Sequence, residues 1–185
     1  MSTFLYFVRH GQTAANRHHR ISGRVDLPLT ELGAQQAASC RETLMRLNIN
    51  AIYCSPLLRA RQTAEIATEG LPNCPEIIYD ERLLERDFGR VDGKFAPFAA
   101  IKMWDYDQSF ARSRYGEETL LHLENRAQDF IEMIREKHPD QTVVVFSHGG
   151  IATAINAVLD DNHSREGNYF QKLHLKNGAI SCFTL

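Results

Sequence analysis

The chain has 185 residues, close to one typical domain length, and we expect a single domain over residues 1–185. Hydrophobic residues make up 43% and charged residues 24%, which supplies one apolar core and excludes wholesale disorder. The net charge of -2 argues against nucleic acid or an anionic membrane as a partner. Without a bilayer-length apolar run or a secretory signal, a cytoplasmic location is the default expectation.

The first third of the chain alternates predicted strands and helices. Phe4–Val8 is aromatic and β-branched and too short for a helix, which predicts a buried strand followed by a polar loop. Thr30 is a candidate N-cap for an amphipathic helix that extends to about residue 47. A second strand over Ala51–Cys54 leads into Ser55 and Pro56, a capping residue and a first helical position that predict another helix.

A less regular stretch follows and then gives way to a long helix. Residues 71–116 contain three prolines and several aromatic side chains, and we expect an inserted lid over about residues 90–116. Helical spacing of apolar residues predicts a helix over Thr119–His138, which Pro139 ends.

The last third is predicted to hold a buried strand, a helix and a hairpin. Val143–Phe146 is apolar on both faces, as parallel strands are, and Gly149-Gly150 opens a nearly all-apolar helix to Leu159. Asn177-Gly178 is a strong hairpin signal between strands over about Tyr169–Leu175 and Ala179–Leu185. The whole order predicts a three-layer α/β/α sandwich with a mostly parallel sheet and an antiparallel edge hairpin.

Polar residues follow three of the predicted strands at the point where each ends. Arg9 and His10 follow the first strand, Ser55 follows the second with Arg59 one turn further on, and His148 follows the third closely. Ligands of parallel α/β sheets bind beyond the carboxyl ends of the strands. We therefore expect the active site at this edge.

The segment after the first strand is strongly basic. Residues 9–25 contain four arginines and three histidines and no acid, in a chain of net negative charge. Guanidinium groups match phosphate oxygens in a planar fork, and a helix N-terminus adds backbone donors. The pattern favours an anion site over a solvated basic loop.

Two histidines differ from the others in their positions. His10 and His148 both lie just after a buried strand and both precede a glycine. A neutral imidazole flanked by arginines is a suitable nucleophile toward phosphorus, because nearby positive charge disfavours imidazolium. The leaving oxygen then needs a proton donor, and the residues alone leave Glu81, Glu85 and Asp87 open.

Several motifs occur in order along the chain. They are Arg9–Thr13, Asn16, Ser22-Gly23, Asp26–Thr30 with Gly33, Ser55–Ala64, Leu84–Gly89 with Gly93, and Val145–Gly150. With these motifs the sequence resembles the histidine phosphatase superfamily, which includes the phosphoglycerate mutases. The resemblance spans about residues 4–159, and so many linked motifs make coincidence a poor explanation.

The resemblance implies roles for individual residues and no metal or other cofactor. His10 would be the nucleophile that becomes phosphohistidine, and Glu85 would be the proton donor that later helps water attack. Arg9, Arg59 and His148 would hold the phosphoryl oxygens, whose charge such cations stabilise.

Four further positions are carried over to the phosphate pocket. Asn16 is similar to the family residue that lines this pocket, and Ser22 and Gly23 lie within a matching motif. Gly149 would offer a backbone donor there.

The identity and spacing of the motif residues exclude three other enzyme classes. Gly89–Lys94 has one residue too few for a P-loop and lacks its Ser or Thr. His18 and His19 are adjacent without the pattern of a zinc hydrolase, and Val145 stands where an esterase elbow needs glycine.

Within the family, hydrolysis and phosphoryl transfer are the main alternatives. Mutases tend to carry longer lid insertions and a C-terminal extension, whereas this chain stops after its last predicted strand, which favours hydrolysis of a small phosphorylated metabolite. A non-catalytic phospho-ligand binder is a third reading. Neither the exact substrate nor the oligomeric state follows from the sequence.

Substrate choice is expected to depend on the lid. We predict that Arg112 and Arg114 face the pocket and that Trp104 or Tyr115 packs on the substrate or closes the lid. The alternative interpretation places Trp104 in the core and the arginines in solvent.

Overall fold

The computed structural model describes residues 2–95, 103, 105, 110–160 and 175–185. In chain order its elements are β1 (Phe4–Arg9), α1 (Ala14–Arg17), α2 (Glu31–Leu44), β2 (Ala51–Cys54), α3 (Leu58–Thr68), β3 (Ile77–Tyr79), α4 (Leu120–Lys137), β4 (Thr142–Ser147), α5 (Gly149–Leu159) and β5 (Ile180–Thr184). Short 3-10 turns occur at Glu81–Leu83 and Gly89–Val91. None of the helices within these ranges is both long enough and apolar enough to cross a membrane.

The strands form one five-stranded sheet in the order β3-β2-β4-β1-β5. The pairs β3-β2, β2-β4 and β4-β1 are parallel, and β5 pairs antiparallel with β1 at the edge. The predicted α/β class with a mostly parallel sheet is thereby confirmed.

Apolar side chains cover both faces of the sheet. Because strand residues alternate between faces, Val143 and Val145 pack on one side and Val144 and Phe146 on the other. The first side meets α4 and α5, and the second meets α2 and α3. The result is the predicted three-layer arrangement, with β4 buried in its centre.

The parallel register brings three strand ends to one level. Val8 of β1 and Cys54 of β2 both pair with Phe146 of β4. The residues that follow these three positions therefore leave the sheet side by side, at its carboxyl edge. The register of the strands therefore determines where the candidate site lies.

Two predictions between the strands are corrected. Ala14–Arg17 is a short helix where a loop is predicted, because Thr13 and Asn16 form a capping box. Ile77–Tyr79 is a parallel edge strand inside the stretch predicted to be irregular. Its run of three residues is too short to give a periodic signal.

The start of α3 is also corrected. The helix begins at Leu58 and not at Pro56, and Ser55 does not serve as its N-cap. Instead, Asp26 accepts a hydrogen bond from the Leu58 amide at 2.6 Å. The cap thus comes from a distant loop, while the Ser55 hydroxyl accepts from the Leu57 amide at 3.4 Å and contacts His148.

The C-terminal strand is part of the sheet, but its neighbour is β1. The predicted partner strand over 169–175 lies outside the described residues except for Leu175, which is in no strand. Asn177 and Gly178 form the expected turn, and Gly178 has a φ of 72°. Residues 96–102, 104 and 106–109 of the predicted lid, which include Trp104, are likewise outside the described ranges.

Candidate active site

A cavity of about 160 Å³ opens at the carboxyl edge of the sheet. It is lined by Arg9, His10, Asn16, Arg20, Ile21, Ser22, Gly23, Glu85, Phe88, Gly149 and Gly150. Most of the residues expected at the site are in this lining. Arg59 and His148 are completely buried directly behind His10.

The two histidines, 138 positions apart in sequence, meet here. Their ring centroids are 5.1 Å apart, and both side chains are buried. The Nε of Arg59 lies between them, 3.3 Å from Nε2 of His10 and 3.2 Å from Nδ1 of His148. The expected convergence of two imidazoles and a guanidinium is therefore present.

The hydrogen bonds of His10 determine which ring nitrogen carries the proton. Its Nδ1 is 2.7 Å from the carbonyl oxygen of Gly11, and because a carbonyl only accepts, Nδ1 must donate. In the neutral ring Nε2 then carries a lone pair, which accepts from Arg59 Nε. The unprotonated nitrogen of His10 therefore faces the guanidinium of Arg59.

His148 is oriented in a related way. Its Nδ1 accepts from Arg59 Nε, so the Nε2–H of the neutral ring donates to the Ser55 hydroxyl at 2.8 Å. Ser55 is fully buried at the end of β2. Sequence reasoning placed Ser55 at the edge expected to hold the active site and assigned it to a helix cap, but did not predict its contact with His148.

Burial and positive charge keep both rings neutral. Burial and, after it, the charges of Arg59 and Arg9 hold the pKa of His10 well below its ordinary 6.5. The pKa of His148 is lowered in the same way, by burial and then by Arg59. At neutral pH both imidazoles are therefore uncharged, with one protonated nitrogen in each ring.

Arg59 is a buried cation with an ordered hydrogen-bond set. Its Nη1 donates to the Val25 carbonyl at 2.9 Å and its Nη2 to the Gly23 carbonyl at 2.7 Å. These contacts tie the basic loop of residues 9–25 to α3. Burial lowers the pKa of the guanidinium, and nearby carboxylates, first among them Glu85, oppose that shift.

Arg9 is a half-buried cation with an unused donor. Its Nη1 donates to the Leu175 carbonyl, while its buried Nε has no hydrogen-bond partner among the described residues. Burial also lowers the pKa of this guanidinium, against the effect of Glu85. An anion in the cavity would satisfy the donor and offset the cost of desolvation.

Glu85 alone of the three candidate carboxylates lines the cavity. Its Oε1 accepts from the amide of Gly150, at the N-terminus of α5, at 3.0 Å and from the Arg86 amide at 2.8 Å. Glu81 is exposed in a 3-10 turn, and Asp87 accepts from the Gly89 amide. The structure thus distinguishes carboxylates that the sequence left equivalent.

The four positions carried over to the phosphate pocket all line the cavity. The Oδ1 of Asn16 is occupied by Thr13, whereas the buried Ser22 hydroxyl has no partner in the described part of the chain. Gly23 has a φ of 46°, and a Cβ there would collide with the Asp92 carboxylate. A Cβ on Gly149 would lie 3.4 Å from Cζ of Arg9, so this glycine allows close packing on the guanidinium.

The predicted lid contacts are not part of this arrangement. Arg112 and Arg114 are exposed, and neither lines the cavity formed by the described residues. Tyr115 is half-buried against the core. Their contact with a substrate remains a prediction, as does that of Trp104.

Asn177 and Thr63 hold the backbone of His10 and Gly11 and were missed as site residues. Nδ2 of Asn177 donates to the His10 carbonyl at 3.0 Å, and the amide of Gly178 reaches the same oxygen at 3.2 Å. The Gly11 amide donates to Oγ1 of Thr63 at 3.0 Å. The sequence marked Asn177 only as a turn residue, and Thr63 only as a member of the motif Ser55–Ala64 without a role of its own.

Comparison with known proteins places these features in a family. The family model of the histidine phosphatase superfamily (branch 1) matches residues 5–185. A metal-independent phosphoserine phosphatase of Arabidopsis thaliana is 34% identical over 160 residues, covering 83% of this chain and 67% of that protein. Phosphoserine phosphatase 1 of Hydrogenobacter thermophilus is 35% identical over 154 residues, covering 78% and 70%.

A solved structure gives the same result at the level of the fold. A mycobacterial glucosyl-3-phosphoglycerate phosphatase superimposes with a TM-score of 0.82 at 25% identity. The match covers 100% of this chain and 91% of that one.

Proposed function

The chain belongs to the histidine phosphatase superfamily, and from this premise we propose that it is a phosphomonoesterase that hydrolyses a small phosphorylated metabolite through a phosphohistidine. The observation that carries the proposal is the pair of buried, neutral imidazoles 5.1 Å apart with a guanidinium nitrogen between them. A neutral, desolvated imidazole next to fixed cations is suited to attack an anionic phosphoryl group.

In the first step, Nε2 of His10 attacks phosphorus and the bond from phosphorus to the ester oxygen breaks. Glu85 transfers its proton to the departing oxygen, so the alcohol leaves neutral. The hydrogen bond from Nδ1 of His10 to the Gly11 carbonyl supports this step, because it holds the proton on the other ring nitrogen.

In the second step, water attacks the phosphorus of phosphohistidine and Glu85 accepts a proton from that water. The phosphorus–nitrogen bond breaks, the electron pair returns to Nε2, and inorganic phosphate leaves. The position of Glu85 on the cavity wall supports its use in both steps.

Arg9, Arg59 and His148 are proposed to stabilise the charge on the phosphoryl oxygens. The unpartnered Nε of Arg9 supports this for Arg9. For Arg59 the support is its contact with Nε2 of His10, which a phosphoryl group would replace. Asn16, Ser22, Gly23 and Gly149 are proposed to line the phosphate pocket.

A small substrate suits the size of the cavity. Its volume of about 160 Å³ is below the roughly 300–1,000 Å³ typical of pockets for drug-sized ligands. Since two relatives carry the name phosphoserine phosphatase, phosphoserine is the first substrate to test. Arg112 and Arg114 are proposed to contact its non-phosphate part, and unchanged Michaelis constants in Arg112→Ala and Arg114→Ala would contradict that.

Phosphate release from a panel of phosphomonoesters, measured with a chelator present, tests the function. We expect wild type to release phosphate, and we expect His10→Ala to lose at least about 10⁴-fold in rate because the nucleophile is gone. The exposed His18→Ala is the matched control and should retain activity. Negligible release from wild type and His10→Ala alike would favour a phospho-ligand binder, and transfer to an added phosphoryl acceptor without release would favour a mutase.

A further inference from the structure

The segment that carries Glu85 has no regular structure of its own. Residues 84–88 belong to no helix or strand, so no backbone ladder fixes the position of the Glu85 carboxylate. The Glu85 carboxylate accepts hydrogen bonds from two backbone amides, that of Gly150 at 3.0 and 3.3 Å and that of Arg86 at 2.8 Å. The carbonyls and amides around it must be held by other side chains.

Arg126 of α4 holds the backbone on the N-terminal side of Glu85. Its Nη1 donates to the carbonyls of Arg82 and Leu84, at 2.6 Å each. The carbonyl between them, that of Leu83, accepts from the Ser147 hydroxyl at 2.6 Å. Three successive carbonyls before Glu85 are therefore fixed by buried donors.

Glu118 holds the backbone on the C-terminal side. Its carbonyl accepts from Nε of Arg86 at 2.8 Å, its amide donates to the Asp87 carbonyl at 2.9 Å, and its Oε2 accepts from the Asp87 amide at 3.3 Å. The two sides are joined by an ion pair, because Nε and Nη2 of Arg126 donate to the two carboxylate oxygens at 2.7 and 2.9 Å.

This pair is well matched and shielded from water. The Glu118 side chain is 4% exposed and that of Arg126 is 9% exposed. Burial by itself would raise the pKa of Glu118, but the hydrogen bonds and charge of Arg126, joined by a hydrogen bond from His122 and the charge of Arg24, leave the pKa below its ordinary value. A bidentate, charge-assisted contact of this kind fixes the orientation of the two side chains as well as the distance between them.

We propose that the Arg126–Glu118 pair is a positioning device for Glu85, so that Arg126, without touching the substrate, sets the efficiency of proton transfer to the leaving group. This inference rests on the proposed function, in which Glu85 is the general acid. A displacement of about 1 Å at a catalytic group can cost on the order of 10²-fold in rate. Loss of the Arg126–Glu118 pair should therefore slow proton transfer from Glu85.

Leaving-group dependence separates positioning from general structural support. An alkyl ester such as phosphoserine needs a proton on its departing oxygen, whereas p-nitrophenyl phosphate releases a stable phenolate and needs little acid catalysis. We expect Glu85→Gln to lose on the order of 10²-fold in kcat/KM, which reports the steps up to phosphohistidine and not its hydrolysis, on the alkyl ester and far less on the aryl ester. Arg126→Met should show the same selectivity, with about a tenfold loss on the alkyl ester.

Combining the substitutions makes the test decisive. If Arg126 acts through Glu85, Arg126→Met causes no further loss on the alkyl ester in the Glu85→Gln background. Arg135→Met is the matched control, because Arg135 is exposed on the same helix, and it should leave both rates unchanged. Circular dichroism and Tm show whether each variant is folded.

Arg126→Lys covers the case in which Arg126→Met does not fold. Lysine keeps the charge beside Glu118 but lacks the fork that reaches the carboxylate and the two carbonyls together. We expect a smaller loss with the same preference for the alkyl ester. Equal losses on both esters, or losses that multiply in the Glu85→Gln background, would overturn the proposal.

The two hypotheses fail in different ways. If Glu85→Gln affects both esters equally, the general-acid role of Glu85 is wrong, and the positioning role of Arg126 is overturned with it. If Glu85→Gln is selective and the folded Arg126 variants are not, only the inference about Arg126 is wrong.

Discussion

The two sides of the site are held in place by different means. The phosphate side, made of Arg9, His10, Arg59 and His148, lies on or directly after regular elements. The acid side, made of residues 84–88 with Glu118 and Arg126, depends on side chains that bond to irregular backbone. The first is built from the sheet and its helices, and the second from long-range hydrogen bonds.

The difference predicts which changes act on chemistry and which act on position. On the phosphate side a lost group leaves the reacting oxygens without a cation. On the acid side a lost contact leaves the reacting group present but displaced. Removal of a group should therefore cost more on the phosphate side than loss of a support does on the acid side.

Arg59→Met should have the largest effect of the changes considered below. It removes a cation that contacts Nε2 of His10 and leaves the Gly23 and Val25 carbonyls without a partner. We expect kcat to fall on the order of 10²- to 10³-fold on alkyl and aryl esters alike.

The same substitution should also alter the pH profile, because Arg59 helps to keep the pKa of His10 low. The acid limb of kcat/KM should move to higher pH. Arg61→Met is the control, since Arg61 is two residues further along α3 and does not line the cavity. An unchanged acid limb would show that Arg59 does not set the protonation of His10.

Gly33→Ala should have an intermediate effect, on stability. A Cβ at Gly33 would lie 2.2 Å from the carbonyl oxygen of Gln12, and a Cβ at Gly11 equally close to the carbonyl of Gly33. Alanine normally favours a helix by about 1 kcal/mol over glycine, but overpacking against backbone costs about 1–3 kcal/mol, so the clash should win.

Urea unfolding measures that effect. We expect a lower midpoint for Gly33→Ala together with reduced kcat, because Gln12 belongs to the loop that follows His10. Gln35→Ala, exposed on the same helix, should change neither. A Gly33→Ala protein of unchanged or raised stability would mean that the loop moves aside at no cost.

The pH dependence of stability distinguishes the two sides of the site. His10 and His148 have a lowered pKa when folded, so below their ordinary 6.5 the unfolded chain binds more protons. Stability is full above that pH and falls below it, by up to about 1.4 kcal/mol per pH unit for each group. Glu118, also lowered, contributes in the same sense only below its ordinary 4.5.

Unfolding free energies of wild type and His148→Asn between pH 8 and 4 would check this. The variant should lose less stability than wild type as the pH falls below 6.5, because it lacks the proton that the unfolded chain binds at His148. His18→Ala should follow wild type. Identical slopes for wild type and His148→Asn above pH 5 would show that His148 is not held neutral.

The residues of the phosphate side could be predicted from the sequence because the patterns that mark them are local. Arg9 and His10 follow β1 directly, Arg59 lies in the first turn of α3, and His148 follows β4. Each was found from the end of a predicted strand, and the parallel register then brought them together. Strands and long helices leave periodic patterns, so the elements that position these groups were predictable too.

On the acid side, the chemistry of the residues alone did not separate Glu85 from Glu81 and Asp87, and only the family resemblance of the motif Leu84–Gly89 singled out Glu85. The identity of the acid depends on which carboxylate lies at the N-terminus of α5, a contact across 65 positions of the chain. The hydrogen bonds that Arg126 donates and the cap that Asp26 provides for α3 also join residues that lie far apart in the sequence. Such pairings leave no periodicity and no short motif.

The sequence by itself determined the alternation of strands and helices, the parallel sheet and the residues that follow its strands. These depend on hydrophobic periodicity and on turn and cap residues, which act over a few positions. Only the tertiary structure decided which carboxylate faces the cavity, which ring nitrogen of His10 carries the proton and which side chains hold Glu85. Those outcomes depend on distances and burial between segments far apart in the chain, where hydrogen bonds and desolvation act and sequence spacing carries no information.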